Sequence, residues 1–190
     1  MASPSFKDLD LPGVIDTAST NFIDEFYVPM LSRSTTYKRG VGFFSSSWVE
    51  SAARGIAELA ENGGTSKWLT SPILDETSLE GLKKGDEAKR DEKLKESLES
   101  SIDDLEQSLA EETQNALAWL IADELIELRF AVPDNGLSGE FHDKWGIFCD
   151  ADGNKVAFHG SQNDSLHAQR NYESYDVFCD WRNAHDADRV

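Results

Sequence analysis

Apolar positions fall into short runs and helical stripes that follow one another along the chain, and their order predicts an α/β fold. Phe22, Phe26, Tyr27, Met30 and Leu31 recur at helical spacing behind Thr20 and Asn21, two residues able to cap. A short helix is expected there, with Pro29 positioned to kink it. Residues 37–45, YKRGVGFFS, are apolar and punctuated by glycine, which suits a buried strand. Ser47 is the expected cap of an Ala-rich helix over 48–61, which Asn62, Gly63 and Gly64 end. Residues 67–71 form the next strand, stopped by Pro72. Strand, helix, strand in that order predicts parallel pairing.

From 86 to 112 no Gly or Pro interrupts the chain, and Leu94, Leu98, Ile102, Leu105 and Leu109 form the stripe of a long amphipathic helix. A more apolar helix after Thr113 carries Leu117, Leu120, Ile121 and Leu125, extending the helical segment to about 86–124. Strands then dominate. Residues 126–132 alternate and break at the PDNG of 133–136. Residues 141–149 and 155–158 flank a DADGN turn at 150–154, whose Asp-Gly pair suits a hairpin, and 172–178 make a last strand. The expected architecture is an α/β/α sandwich around a mixed, mostly central β-sheet. It forms one domain over 1–190 with its core at about 22–181.

Composition narrows the class. Hydrophobic residues are 39% of the chain and aromatics 10%, enough for a core and against global disorder. No apolar run approaches the ~20 residues of a membrane span, and the N-terminus lacks a basic segment followed by an apolar one. The expectation is a cytoplasmic protein without a membrane partner. Cys149 and Cys179 cannot make a disulfide framework, and no CxxC or HxxxH pair suggests zinc, so no metal and no cofactor is expected.

Charge complicates the choice of partner, since 36 acidic against 18 basic residues give a net charge of −18. Such a surface repels nucleic acid and anionic membranes at low ionic strength. It also keeps a protein hydrated in concentrated salt, where repulsion is screened within ~3 Å at 1 M. The acids are spread along the chain and not gathered in a tail, which favours salt adaptation over an acidic docking surface.

The chemistry concentrates in FHDKWGIFCD at 141–150, HGSQN at 159–163 and NYE at 171–173. On a strand His142 and Lys144 would share a face. The hairpin returns the next strand beside them, where Gly160, Ser161 and Asn163 offer a turn, a hydroxyl and an amide. With Lys144, backbone N–H groups at a following helix start would bind a phosphate oxyanion. A neutral His142 in that setting can attack phosphorus, and Glu173 is the expected carboxylate on its other ring nitrogen. His159, His167 and His185 fit no motif position and read as turn or surface histidines. Lys38 and Arg39 could touch phosphate, but an exposed strand start explains them equally.

These residues resemble the HKD motif of the phospholipase D superfamily, HxK, an Asp a few residues on, then GSxN, matched here by His142, Lys144, Asp150, Ser161 and Asn163. Asp150 falls one residue later than in the usual spacing, where Cys149 stands, and its role is the least defined. YKRGVGFFSS at 37–46, the helix after it, WLTSPIL from 68 and NYES at 171–174 look like the phospholipase D-like domain at the front of some bacterial and archaeal DEAD/DEAH-type helicases. The resemblance implies a phosphodiesterase acting on nucleic acid, with DNA as the expected substrate. His142 would be nucleophile, Lys144, Ser161 and Asn163 would bind the phosphate, and Glu173 would orient the ring. One HKD motif per chain implies a homodimer that shares two sites. The alternative is a catalytically silent module that binds nucleic acid or a helicase partner in a defence or restriction-type system. Hydrolysis of lipid head groups is the third and weakest reading, because no basic amphipathic helix is present to meet a bilayer.

Overall fold

Seven strands form one mixed sheet in the computed structural model, which describes residues 5–42, 46–71, 120–121, 123–131, 141–161 and 172–190, leaving aside the side chains of 46–51. The strands are β1 (Val14–Asp16), β2 (Ser34–Val41), β3 (Thr65–Thr70), β4 (Ile126–Phe130), β5 (Trp145–Asp150), β6 (Lys155–Gly160) and β7 (Ser174–Cys179). Their order is β1-β7-β6-β5-β2-β3-β4. β2, β3 and β4 run parallel, and the helix α2 (Ser46–Glu61) makes the crossover from β2 to β3. β5 turns the sheet antiparallel by pairing with β2, and β6, β7 and β1 continue it. The α/β class, the mixed sheet and the parallel strand-helix-strand unit match expectation. The helical segment of 86–119, the PDNG turn and Pro72 lie outside the described residues.

One sheet face builds the core. Tyr37, Val41, Phe148, Val156, Phe158, Tyr175 and Val177 point to it and are 2% exposed or less. Phe22, Phe26 and Tyr27 cover them. The Phe22 ring stacks on Tyr175 at 4.0 Å between centroids, and the Tyr27 hydroxyl donates to that of Tyr37 at 2.8 Å. Phe6 and Ile15 join this cluster from ahead of residue 22, in elements too short for any periodicity to announce.

The first helix is less regular than its spacing suggests. Asn21 caps it by accepting from the Asp24 N–H, but residues Phe22–Tyr27 are π-helical and only Val28–Leu31 (α1) form an α-turn. Pro29 brings no N–H to the carbonyl four residues back, and the wide turn before it absorbs that gap. α2 begins at Ser46, one residue before the expected cap, within the usual fraying of helix ends. It stops as expected, with Gly63 at φ 68° and the N–H groups of Gly63 and Gly64 returning to Ala60 and Leu59. Leu125 does not continue its helix. Glu124 takes φ 59°, and the N–H groups of Glu124 and Leu125 close back on Ile121 and Leu120.

Residues 141–144 are not strand. The Asp143 carboxylate accepts the Lys144 N–H at 3.1 Å, a local bond that takes this donor from the ladder, and β5 begins only at Trp145. β6 runs to Gly160, two residues beyond expectation, while β7 starts at Ser174, leaving Tyr172 and Glu173 ahead of it. Among the described residues, no helix is long and apolar enough to cross a membrane.

Candidate active site

The residues of interest meet at one end of the sheet, where β5 begins, β6 ends and β7 is about to start. The Gly160 N–H donates to the Lys144 carbonyl at 3.0 Å, so the last residue of β6 sits beside the segment that carries His142 and Lys144. Gly160 pairs with Tyr175, which brings Ser161 and Glu173 to the same edge. A Cβ at Gly160 would enter the Tyr175 ring and come within 2.7 Å of the Ser174 carbonyl, so this close approach of β6 to β7 needs glycine.

Lys144 is 3% exposed, whereas His142 lies at the surface. The Lys144 Nζ is 2.8 Å from His142 Nδ1 and donates to the His142 carbonyl at 2.6 Å. The two converge although they are off the strand that was expected to align them. Burial pushes the Lys144 amine below the ordinary lysine range, Asp143 and Glu173 pull it back up, and Arg39 pushes it further down.

Arg39 departs most from the sequence reading. It lies in mid-β2 on the core face, between Tyr37 and Val41, and is 2% exposed. Its Nη1 donates to the carbonyls of Trp145 at 2.8 Å and Gly40 at 3.1 Å, and its guanidinium lies 5.1 Å from the centroid of the Phe158 ring. Lys38 alone is an exposed strand residue. The signal was present, because period-two alternation with Tyr37 and Val41 puts Arg39 on the buried face.

Glu173 is not bonded to His142. Its Oε2 accepts from the Ser161 hydroxyl, as the strand pairing next to it dictates. Thr17 clamps its backbone, its N–H donating to the Glu173 carbonyl at 3.0 Å and its Oγ1 accepting the Glu173 N–H at 2.9 Å. Nothing in the sequence marked Thr17. His159 is a surface residue whose Nε2 lies 2.7 Å from Asp143 Oδ1, and His185 is exposed beside Phe178. Asn163 and His167 lie outside the described residues.

Asp150 stands at the far end of β5, roughly 20 Å from Lys144 at ~3.3 Å per residue. It shares the core face with Phe148, whereas Cys149 faces the other way. Its carboxylate accepts from the Ser5 hydroxyl at 3.1 Å, the Phe6 N–H at 3.0 Å, the Asp152 N–H at 3.0 Å, the Asn154 N–H at 2.9 Å and the Asn154 amide. It ties the hairpin turn to the N-terminal segment. Among the described residues no group of three or more His, Cys, Asp or Glu is arranged to hold a metal ion.

No protein-family model matches the sequence, and no curated protein matches it. Solved structures do. NucT from Helicobacter pylori is 16% identical, over 80% of this chain and 72% of that one, with a TM-score of 0.45. Yeast tyrosyl-DNA phosphodiesterase is 6% identical, over 77% of this chain and 26% of that one, with a TM-score of 0.43. A mutant of the yeast enzyme is 8% identical over 87% and 32%, with a TM-score of 0.44.

Proposed function

We propose that this chain is a phospholipase D-like phosphodiesterase that cleaves nucleic acid, DNA first, through a phosphohistidine on His142 and without a metal ion. The observation that carries the reading is a buried lysine, Lys144, in contact with an exposed imidazole, His142, with the buried guanidinium of Arg39 beside them. In a chain of net charge −18 the two basic side chains buried at this end of the sheet, Arg39 and Lys144, suit an incoming phosphodiester anion.

In the reaction a ring nitrogen of His142 attacks phosphorus and the bond to the leaving oxygen breaks. Lys144, the Ser161 hydroxyl and Asn163 neutralise the oxygens of the phosphorane-like transition state. Glu173 acts on this cradle by holding Ser161, a change from the ring-orienting part expected of it. The leaving oxygen takes its proton from the His142 of a second copy across a twofold axis, and that imidazole then draws a proton from the water that releases the phosphate monoester.

The test is cleavage of DNA and of bis(p-nitrophenyl) phosphate in excess chelator, at low and molar salt. Turnover should survive chelation, disappear in His142→Ala, and fall by ~10² to 10³ in kcat in Lys144→Ala with less effect on binding. A substrate labelled at the scissile phosphate and quenched in alkali during turnover should leave an alkali-stable, acid-labile nucleotidyl phosphate on the wild-type protein. Complete loss with EDTA overturns the metal-free mechanism. DNA binding without turnover in any buffer overturns the enzyme reading in favour of a silent nucleic-acid or helicase-binding module.

A further inference from the structure

The nitrogen with which His142 attacks must carry a free lone pair, and which nitrogen that is depends on the partner of the other. The expected partner, Glu173, is bonded to Ser161. The group within reach of Nδ1 is the Lys144 Nζ at 2.8 Å, and the same Nζ is anchored to the His142 carbonyl at 2.6 Å. We propose that Lys144 itself, and no carboxylate, fixes the tautomer of His142, so that the amine acts as a proton relay for the nucleophile as well as a phosphate ligand.

An ammonium has donors only, so while Lys144 is charged Nδ1 must accept, and the neutral ring carries its proton on Nε2. Neither ring nitrogen then has a free lone pair. Once Lys144 loses one proton, its amine still donates to the His142 carbonyl and now offers a lone pair to an Nδ1–H, which frees Nε2 at the exposed side of the ring. The groups that face this amine are His142 and Asp143 from its own segment, Arg39 from β2, and Glu173 from the approach to β7. His159, at the end of β6, faces Asp143 and draws on that carboxylate. Burial and Arg39 both favour the neutral amine, so the relay is reached below the ordinary lysine range.

The proton count closes. Nε2 forms its bond to phosphorus as the bond to the leaving oxygen breaks; that oxygen keeps the pair and takes a proton from the acid opposite. The Nδ1 proton passes to Lys144, leaving a neutral ring and a new ammonium next to the phosphoryl oxygens. When water attacks phosphorus it gives its proton to the former acid, the P–N pair returns to Nε2, and the ammonium returns its proton to Nδ1.

The chemical consequence rests on the phosphodiesterase reading, but the tautomer does not, so it is measured without substrate. Long-range ¹H–¹⁵N correlation spectra of histidine-labelled protein, recorded from neutral to alkaline pH, should show His142 passing from the Nε2–H to the Nδ1–H form. Lys144→Arg, whose guanidinium stays charged, should hold Nε2–H throughout, and Glu173→Gln, which removes a charge that favours the ammonium, should still switch but at lower pH. A wild-type His142 that keeps one tautomer across the range overturns the proposal without reference to any variant's folding, as does a switch that survives in Lys144→Arg. An intact switch in a protein that cleaves no phosphodiester supports the relay and removes the phosphodiesterase reading alone.

Discussion

Replacing Asp150 by Ala separates a motif residue that builds the fold from one that does chemistry. The carboxylate is 2% exposed and receives hydrogen bonds from Ser5, Phe6, Asp152 and Asn154. Hydrogen bonds to a charged acceptor contribute ~1.5–3 kcal/mol each, but the donors of Asp152 and Asn154 sit at the hairpin rim and can return to water. The N–H of the fully buried Phe6 cannot. Allowing for the desolvation that the lost carboxylate no longer suffers, the net cost is about 3–4 kcal/mol. In a chain of this size that lowers Tm by roughly 10 °C. Burial pushes the Asp150 pKa up, yet the bonds from Asn154, Phe6 and Ser5 outweigh it and hold the group below the usual carboxylate range. The ionised form is therefore the one folding favours. Its stabilisation is complete above the ordinary Asp range and is lost as pH falls through the lowered folded value. Thermal unfolding of wild type and Asp150→Ala should differ most at neutral pH and converge in acid, while turnover well below Tm stays within a few-fold. A variant with unchanged Tm and a 10²-fold loss of kcat would refute this reasoning and place Asp150 in the chemistry.

Two further predictions concern the acidic charge and the aromatic core. Melting temperature should rise from low to molar KCl as repulsion among the 36 acidic residues is screened, and a flat or falling curve removes the salt-adapted reading that reconciles an acidic surface with a nucleic-acid substrate. Gly146→Ala should cost about 3 kcal/mol by chemical denaturation, because its Cβ would enter the Phe158 ring and lie 3.0 Å from the Tyr37 hydroxyl; a cost near zero would mean that the aromatic core yields easily.

What could be read beforehand was local and periodic. The parallel unit β2-α2-β3 and the hairpin at 150–154 follow from alternation, an Ala-rich stripe and glycines at φ 68° and 82°. What could not be read came from contacts between distant segments. β1 has three residues, too few for a pattern, and exists because Val14, Ile15 and Asp16 pair with β7. Glu173 was assigned to His142 as the carboxylate of a neighbouring last strand, but the β6–β7 register delivers it to Ser161. His142 and Lys144 were expected to meet by strand alternation; they meet because the long lysine side chain folds back on the carbonyl two residues earlier. Arg39 was misjudged because a charged residue in an apolar run reads as exposed, and its partners, the Trp145 carbonyl and the Phe158 ring, lie more than a hundred residues away.

The strand order also bears on how the chain meets the ribosome. β2, α2 and β3 are consecutive and can pair while the rest is still being translated, but β1 and the Phe6 segment have their partners in β7 and at Asp150. Synthesis at ~5–20 residues per second leaves the first strand waiting several seconds or more for the last one. Once residue 70 is made β2 and β3 are complete, while residues 141–175, which supply the site, come last. A nascent chain therefore holds no assembled site to engage a polynucleotide, and the edge left open by the missing β5 is the surface most in need of shielding by a chaperone.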